Sequence, residues 1–88
     1  MTIRFSSSFK RAYKKLIESN PSLVQRFDKR MLLFAADPKH PSLQTHKLSG
    51  KMKDLWSFSI DHSIRVVFHF EDDGAVLLES IGTHDEVY

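Results

Sequence analysis

Four side chains form a set that can act on a phosphodiester. Arg65 lies in the run Ile64-Arg65-Val66-Val67-Phe68-His69-Phe70 and is the one Lys or Arg between Asp54 and Tyr88. His84 follows Gly82-Thr83, Tyr88 comes four residues later, and His46 sits in Thr45-His46-Lys47-Leu48. A guanidinium offers phosphate oxygens a planar fork of charged donors. Imidazoles and a phenol take up and return protons. Together they can perform general acid–base chemistry on a phosphate ester without a metal. Each also has a plain structural reading. Arg65 would pair with Glu79 on a neighbouring strand. The histidines would be structural, and a terminal Tyr88 would fray.

Other chemistries find little support. The five histidines (His40, His46, His62, His69, His84) show no HxH, HxxH or HExxH spacing, and the chain has no Cys. No metal site, disulfide framework or thiol nucleophile is expected. The three glycines, Gly50, Gly74 and Gly82, form no phosphate loop, and there is no GxSxG. No cofactor is expected.

Eighty-eight residues make one domain, 1–88, and 41% hydrophobic residues with seven Phe suffice for its core. No apolar run approaches the roughly 20 residues of a membrane span, and Met1-Thr2-Ile3-Arg4-Phe5 lacks the apolar region of a signal peptide. A cytoplasmic protein is expected, with no membrane partner. The net charge of +2 hides an asymmetry: residues 1–53 hold twelve Lys and Arg against three acids, whereas residues 54–88 hold Arg65 against eight acids. A basic half favours a polyanionic partner, because phosphate neutralisation dominates nucleic-acid affinity. Lys10, Arg11, Lys14, Lys15, Lys47, Lys51 and Lys53 are its candidate contacts.

The elements that must position these groups follow from periodicity. Thr2–Phe5 reads as a short strand, followed by three serines able to cap a helix. Phe9, Ala12, Tyr13, Leu16 and Ile17 form an amphipathic stripe that Asn20-Pro21 ends. Pro21-Ser22 restarts a helix with Leu23, Phe27, Met31 and Phe34 inward, stopped at Asp37-Pro38. Residues 38–54 read as a polar, basic loop pinned by Leu43 and Leu48. Three strands follow: Trp56, Phe58 and Ile60 alternate with serines, Asp61-His62-Ser63 turns, Ile64–Phe70 alternates again, Asp73-Gly74 makes a hairpin, and Ala75–Ile81 completes the set. The fold class is α+β, in the order β-α-α-β-β-β: a helical hairpin on one face of a mainly antiparallel four-stranded sheet. Ile64, Val66, Phe68 and Phe70 must face the helices, so Arg65 points to the opposite, open face.

This element order, the Leu48-Ser49-Gly50 turn before Leu55-Trp56-Ser57-Phe58, the segment Ile64-Arg65-Val66-Val67-Phe68 and the ending Ile81-Gly82-Thr83-His84-Asp85-Glu86-Val87-Tyr88 resemble the RelE/ParE superfamily of bacterial toxins. The resemblance covers essentially the whole chain and is greatest to the YafQ-like and RelE/StbE-type mRNA interferases. It implies a ribosome-dependent endoribonuclease that cuts mRNA in the decoding site. The RNA's own 2′-hydroxyl is the nucleophile, so no metal is needed. A co-encoded antitoxin would neutralise the protein in a hetero-oligomer that binds operator DNA through the antitoxin. On this resemblance His84 is a general acid or base and His46 its candidate partner. Arg65 lies near the scissile phosphate, and Tyr88 stacks on a base or transfers a proton. The YafQ-like pattern also carries a His and an Asp around the second strand and its turn. Ser59 and Ser63 stand there, and nearby Asp61 and His62 are the secondary candidates. The alternatives are a ParE-like gyrase inhibitor and a degenerate homologue that only binds antitoxin.

Overall fold

The first strand, β1 (Ile3–Phe5), leads directly into the first helix, α1 (Ser7–Ser19), and Ser6 manages the junction. Its hydroxyl accepts the backbone N–H of Phe9 at 2.9 Å as an N-cap and donates to the Glu79 carbonyl at 2.8 Å. Of the three candidate capping serines, Ser6 is therefore the one used. In this computed structural model residues 1–52 and 54–88 are described. A turn at Asn20–Ser22 separates α1 from α2 (Leu23–Ala36), so Pro21 and Ser22 precede the second helix rather than begin it. Phe9 of α1 and Leu23, Phe27 and Phe34 of α2 are buried, as their spacing predicts, and Met31 packs at the margin. Phe34 stacks on Phe58 at 4.3 Å and meets Phe68 edge-on at 5.0 Å, which fastens α2 to the sheet. Burying one such ring contributes roughly 2 kcal/mol.

The sheet has five strands, not the four expected. Their order is β1-β5-β4-β3-β2, with β2 (His46–Lys47), β3 (Trp56–Ser59), β4 (Ile64–Phe70) and β5 (Val76–Thr83). All pairings are antiparallel except β1 with β5. The extra strand comes from the segment read as a loop. Leu43 is fully buried, a 3₁₀ turn covers Pro41–Leu43, and His46 and Lys47 then pair with Ser57 and Trp56. A short terminal helix, α3 (His84–Val87), follows β5 and packs back on β4 and β5.

A β-bulge sets the phase of β5. Val67 pairs with Ser80 and Phe68 with Leu78, so Glu79 is the extra residue. Val76 and Leu78 face the core before the bulge and Ile81 faces it afterwards. Ser80 and Gly82 are thereby placed on the opposite face beside Val67 and Arg65. Two sequence expectations fail near here. Phe70 is 44% exposed at the end of β4, beyond the cover of the helices, and packs edge-on to Trp56 at 5.6 Å. Glu79 takes His69 as its partner at 3.1 Å, not Arg65. Among the described residues no helix is long and apolar enough to cross a membrane.

Candidate functional site

Register brings the strand residues of the site together. Alternation puts Ser57 and Ser59 of β3 on the same face as Arg65 of β4, and His46 of β2 pairs directly with Ser57. Gly82 of β5 stands opposite Arg65 on the other side. That face is not open, as the sequence suggested. α3 folds over it, and Val67 beneath is buried.

The fold-back of α3 has a local cause. Thr83 and Glu86 form a capping box: the Glu86 carboxylate accepts the Thr83 N–H at 2.8 Å, and the Thr83 hydroxyl accepts the Glu86 N–H at 3.4 Å. These hydrogen bonds from Thr83, backbone first, hold the Glu86 carboxyl below its ordinary range. Val87 is buried, and Tyr88 is carried back over the strands instead of fraying.

Arg65 is the centre of the resulting cluster. Its Nε donates to Ser57 Oγ at 2.7 Å and to the Tyr88 hydroxyl at 2.9 Å. Its Nη2 donates to the Gln44 carbonyl at 3.2 Å and lies 3.4 Å from His46 Nδ1. The Tyr88 hydroxyl also hydrogen-bonds Ser57 Oγ. Two points therefore fix the plane of the guanidinium. Among the described residues Nη1 has no protein partner, so both its hydrogens remain for an anion.

Gln44 reaches this position through a left-handed backbone, φ +52°, at the end of the Pro41–Leu43 turn. Arg30 of α2 braces that turn, donating to Ser42 Oγ at 3.1 Å, to the Ser42 carbonyl at 2.8 Å and to the Ile60 carbonyl at 3.1 Å. The Gln44 carbonyl also lies 2.9 Å from His46 Nδ1. A carbonyl can only accept, so Nδ1 carries the proton in that bond, and in the neutral ring of exposed His46 the lone pair then lies on Nε2. His84 joins the cluster through its ring. It meets Tyr88 edge-on at 4.4 Å and is 72% exposed, with Asp85 3.6 Å from its Nδ1.

The structure thus brings Arg65, Tyr88, His46 and His84 together. The secondary candidates do not join them by any hydrogen bond. Asp61 serves its own turn, accepting from Ser63 N–H and Ile64 N–H at 2.8 Å each, from the Ser63 hydroxyl at 3.0 Å and from Arg26 at 3.1 Å. Burial would raise its carboxyl, but these donors outweigh burial and hold it below the ordinary range. His62 is exposed in the same turn. Lys10, Arg11, Lys14 and Lys15 lie exposed along α1, and Lys47 of β2 and Lys51 are exposed as well. Lys53, named with them, lies outside the described residues. Sequence reasoning missed Ser57 and Gln44. Ser57 read as the polar beat of an alternating strand, and Gln44 acts through its carbonyl, which no side-chain pattern announces.

The family model for the bacterial toxin of type II toxin-antitoxin systems, YafQ, matches residues 1–88. The chain belongs to the YafQ toxin family. YafQ from Escherichia coli strain BL21(DE3) superposes with a TM-score of 0.80 at 17% identity, over 98% of this chain and 96% of that one. A metal-bound toxin from Helicobacter pylori gives 0.76 at 22% identity, over 100% and 99%. The toxin of the E. coli DinJ-YafQ complex gives 0.74 at 17%, over 98% and 96%. At these identities the superpositions establish the shared α+β fold of the RelE-like toxins. No curated protein matches the sequence.

Proposed function

We propose that this YafQ-family toxin is a ribosome-dependent endoribonuclease, and that Arg65, Tyr88, His46 and His84 are its working groups. The observation that carries the reading is the anchoring of Arg65. Its Nε and Nη2 are held by the protein, while Nη1 is left facing no protein partner among the described residues. Such an arrangement suits a phosphate whose negative charge grows in the transition state. The chemistry needs no metal, because the nucleophile comes from the substrate. His46 Nε2 takes the proton of the RNA 2′-hydroxyl, and the 2′-oxygen attacks the adjacent phosphorus. The bond to the 5′-oxygen breaks, and His84 supplies the proton that this leaving oxygen needs. The products are a 2′,3′-cyclic phosphate and a 5′-hydroxyl. Arg65 stabilises the charge on the non-bridging oxygens, and Tyr88 orients the groups at the phosphate.

The exposed Lys and Arg of α1, with Lys47 and Lys51, supply the contacts to rRNA and mRNA backbones. The protein's partner is a small acidic antitoxin in a hetero-oligomer, with operator DNA bound through the antitoxin. The DinJ-YafQ complex, whose toxin shares the fold, supports an antitoxin partner. Expression without the antitoxin should arrest growth and cut mRNA inside reading frames. His84→Gln should slow the cut about 100- to 10,000-fold. Altered DNA supercoiling with intact mRNA would instead identify a gyrase-directed toxin and refute the proposal.

A further inference from the structure

We propose that Ser57 is a positioning residue of this site, whose buried hydroxyl joins the guanidinium of Arg65 to the phenol of Tyr88 and fixes both against the reacting phosphate. The inference rests on the endoribonuclease reading above.

Ser57 lies inside β3 with 0% exposure. A buried hydroxyl without partners costs roughly 1–3 kcal/mol, so polar residues persist at such positions where their hydrogen bonds are filled. The directly paired residue on β4, Val67, is apolar and equally buried, which shows what this position would otherwise accept. The Ser57 oxygen meets two groups brought from distant parts of the chain: Arg65 Nε at 2.7 Å and the Tyr88 hydroxyl. Arg65 and Tyr88 also touch each other at 2.9 Å, which closes a triangle of β3, β4 and the C-terminal residue.

The triangle predicts a specific kind of defect. Without the hydroxyl, Arg65 Nε still reaches Tyr88, and Nη2 still reaches the Gln44 carbonyl. The Tyr88 hydroxyl loses its acceptor, but Tyr88 is 39% exposed and water can take that place, so the fold survives. What is lost is the fixed point on the sheet. The guanidinium then turns about its Gln44 contact, and Tyr88 is held only by a side chain that itself moves. Misplacing reacting groups by an ångström costs on the order of 100-fold in rate without weakening substrate binding to match.

The test is a cleavage assay on mRNA-programmed ribosomes with wild type, Ser57→Ala, Tyr88→Phe and the double variant. Ser57→Ala should lower kcat about 10- to 100-fold. The half-saturating ribosome concentration should stay within about twofold. In the Tyr88→Phe background the same change should cost much less, because the phenol it orients is already gone. A second readout does not depend on activity. The Tyr88 ring lies edge-on to His84, so the His84 ring-proton shifts should move in Ser57→Ala towards those of Tyr88→Leu. Unchanged kcat, or losses that simply add in the double variant, or an unmoved His84 spectrum would each overturn the proposal. If wild type itself leaves programmed mRNA intact, the endoribonuclease reading fails, and the His84 shifts still decide whether Ser57 orders Tyr88.

Discussion

Gly82 of β5 stands directly across from Arg65 of β4, and its missing side chain is what admits the C-terminal helix. A Cβ at residue 82 would lie 3.0 Å from both Cβ and Oε1 of Glu86 and 3.3 Å from Val87 Cγ1. Close approach, not an unusual backbone angle, favours glycine here. The same vacancy lets Tyr88 return to the guanidinium.

Gly82→Ala should therefore shift α3 outward by a few tenths of an ångström while the core on the other face stays intact. Cleavage should fall, by less than the roughly 100-fold that follows a full ångström of misplacement, with the circular dichroism spectrum unchanged. A variant as active as wild type would show that the position of α3 does not matter to the chemistry.

Arg65→Ala should fold normally and lose cleavage by about 100-fold or more, the scale for removing one placed charge stabiliser. Arg65→Lys should recover only part of it. One ammonium cannot hold Ser57, the Gln44 carbonyl and a phosphate in a single plane. Full activity in either variant, measured on programmed ribosomes, would remove Arg65 from the site.

The capping box gives α3 a pH dependence. The Glu86 carboxyl is depressed by its Thr83 hydrogen bonds, so its contribution is complete above the unfolded carboxylate pKa of about 4.3. It is lost as pH falls through the lower folded value. Tyr88 ring resonances should shift towards those of a Glu86→Gln variant on acidification below about pH 4. The variant itself should show no such transition. An identical acid transition in the variant would assign the effect to another group.

Asp61 should prove structural. Asp61→Ala strands the Ser63 and Ile64 N–H groups, at a cost of about 1–3 kcal/mol. Thermal melting should fall by roughly 4–8 °C for each kcal/mol. Cleavage per folded molecule, below the melting range, should stay near wild type. A large loss of rate in fully folded protein would return Asp61 to the catalytic set.

The face that carries Arg65 was legible because Ile64, Val66 and Phe68 leave the intervening positions no other direction. The helical stripes were legible for the same reason. β2 was not, because two residues carry no period, and their pairing depends on the distant Ser57. The Glu79 bulge was also hidden, since Ser6 of β1's exit stabilises it from across the chain. Tyr88 was named for the site on residue type and resemblance, although Thr83-His84-Asp85-Glu86 has the spacing of a capping box. That signal was present, and it names the residue that brings the C-terminus home. Ser57 needed the three-dimensional register, because nothing in an alternating strand marks which serine will be buried.

The most direct test of the account is to map cleavage sites at nucleotide resolution on one mRNA, with the purified toxin, in the presence and absence of translating ribosomes. Cuts should fall within the reading frame, in codon register, only when the message is translated. The ends should be 2′,3′-cyclic phosphate and 5′-hydroxyl, and Arg65→Ala should weaken the pattern by about 100-fold or more. Equal cutting of ribosome-free RNA, or an intact message under translation, would contradict the ribosome-dependent reading.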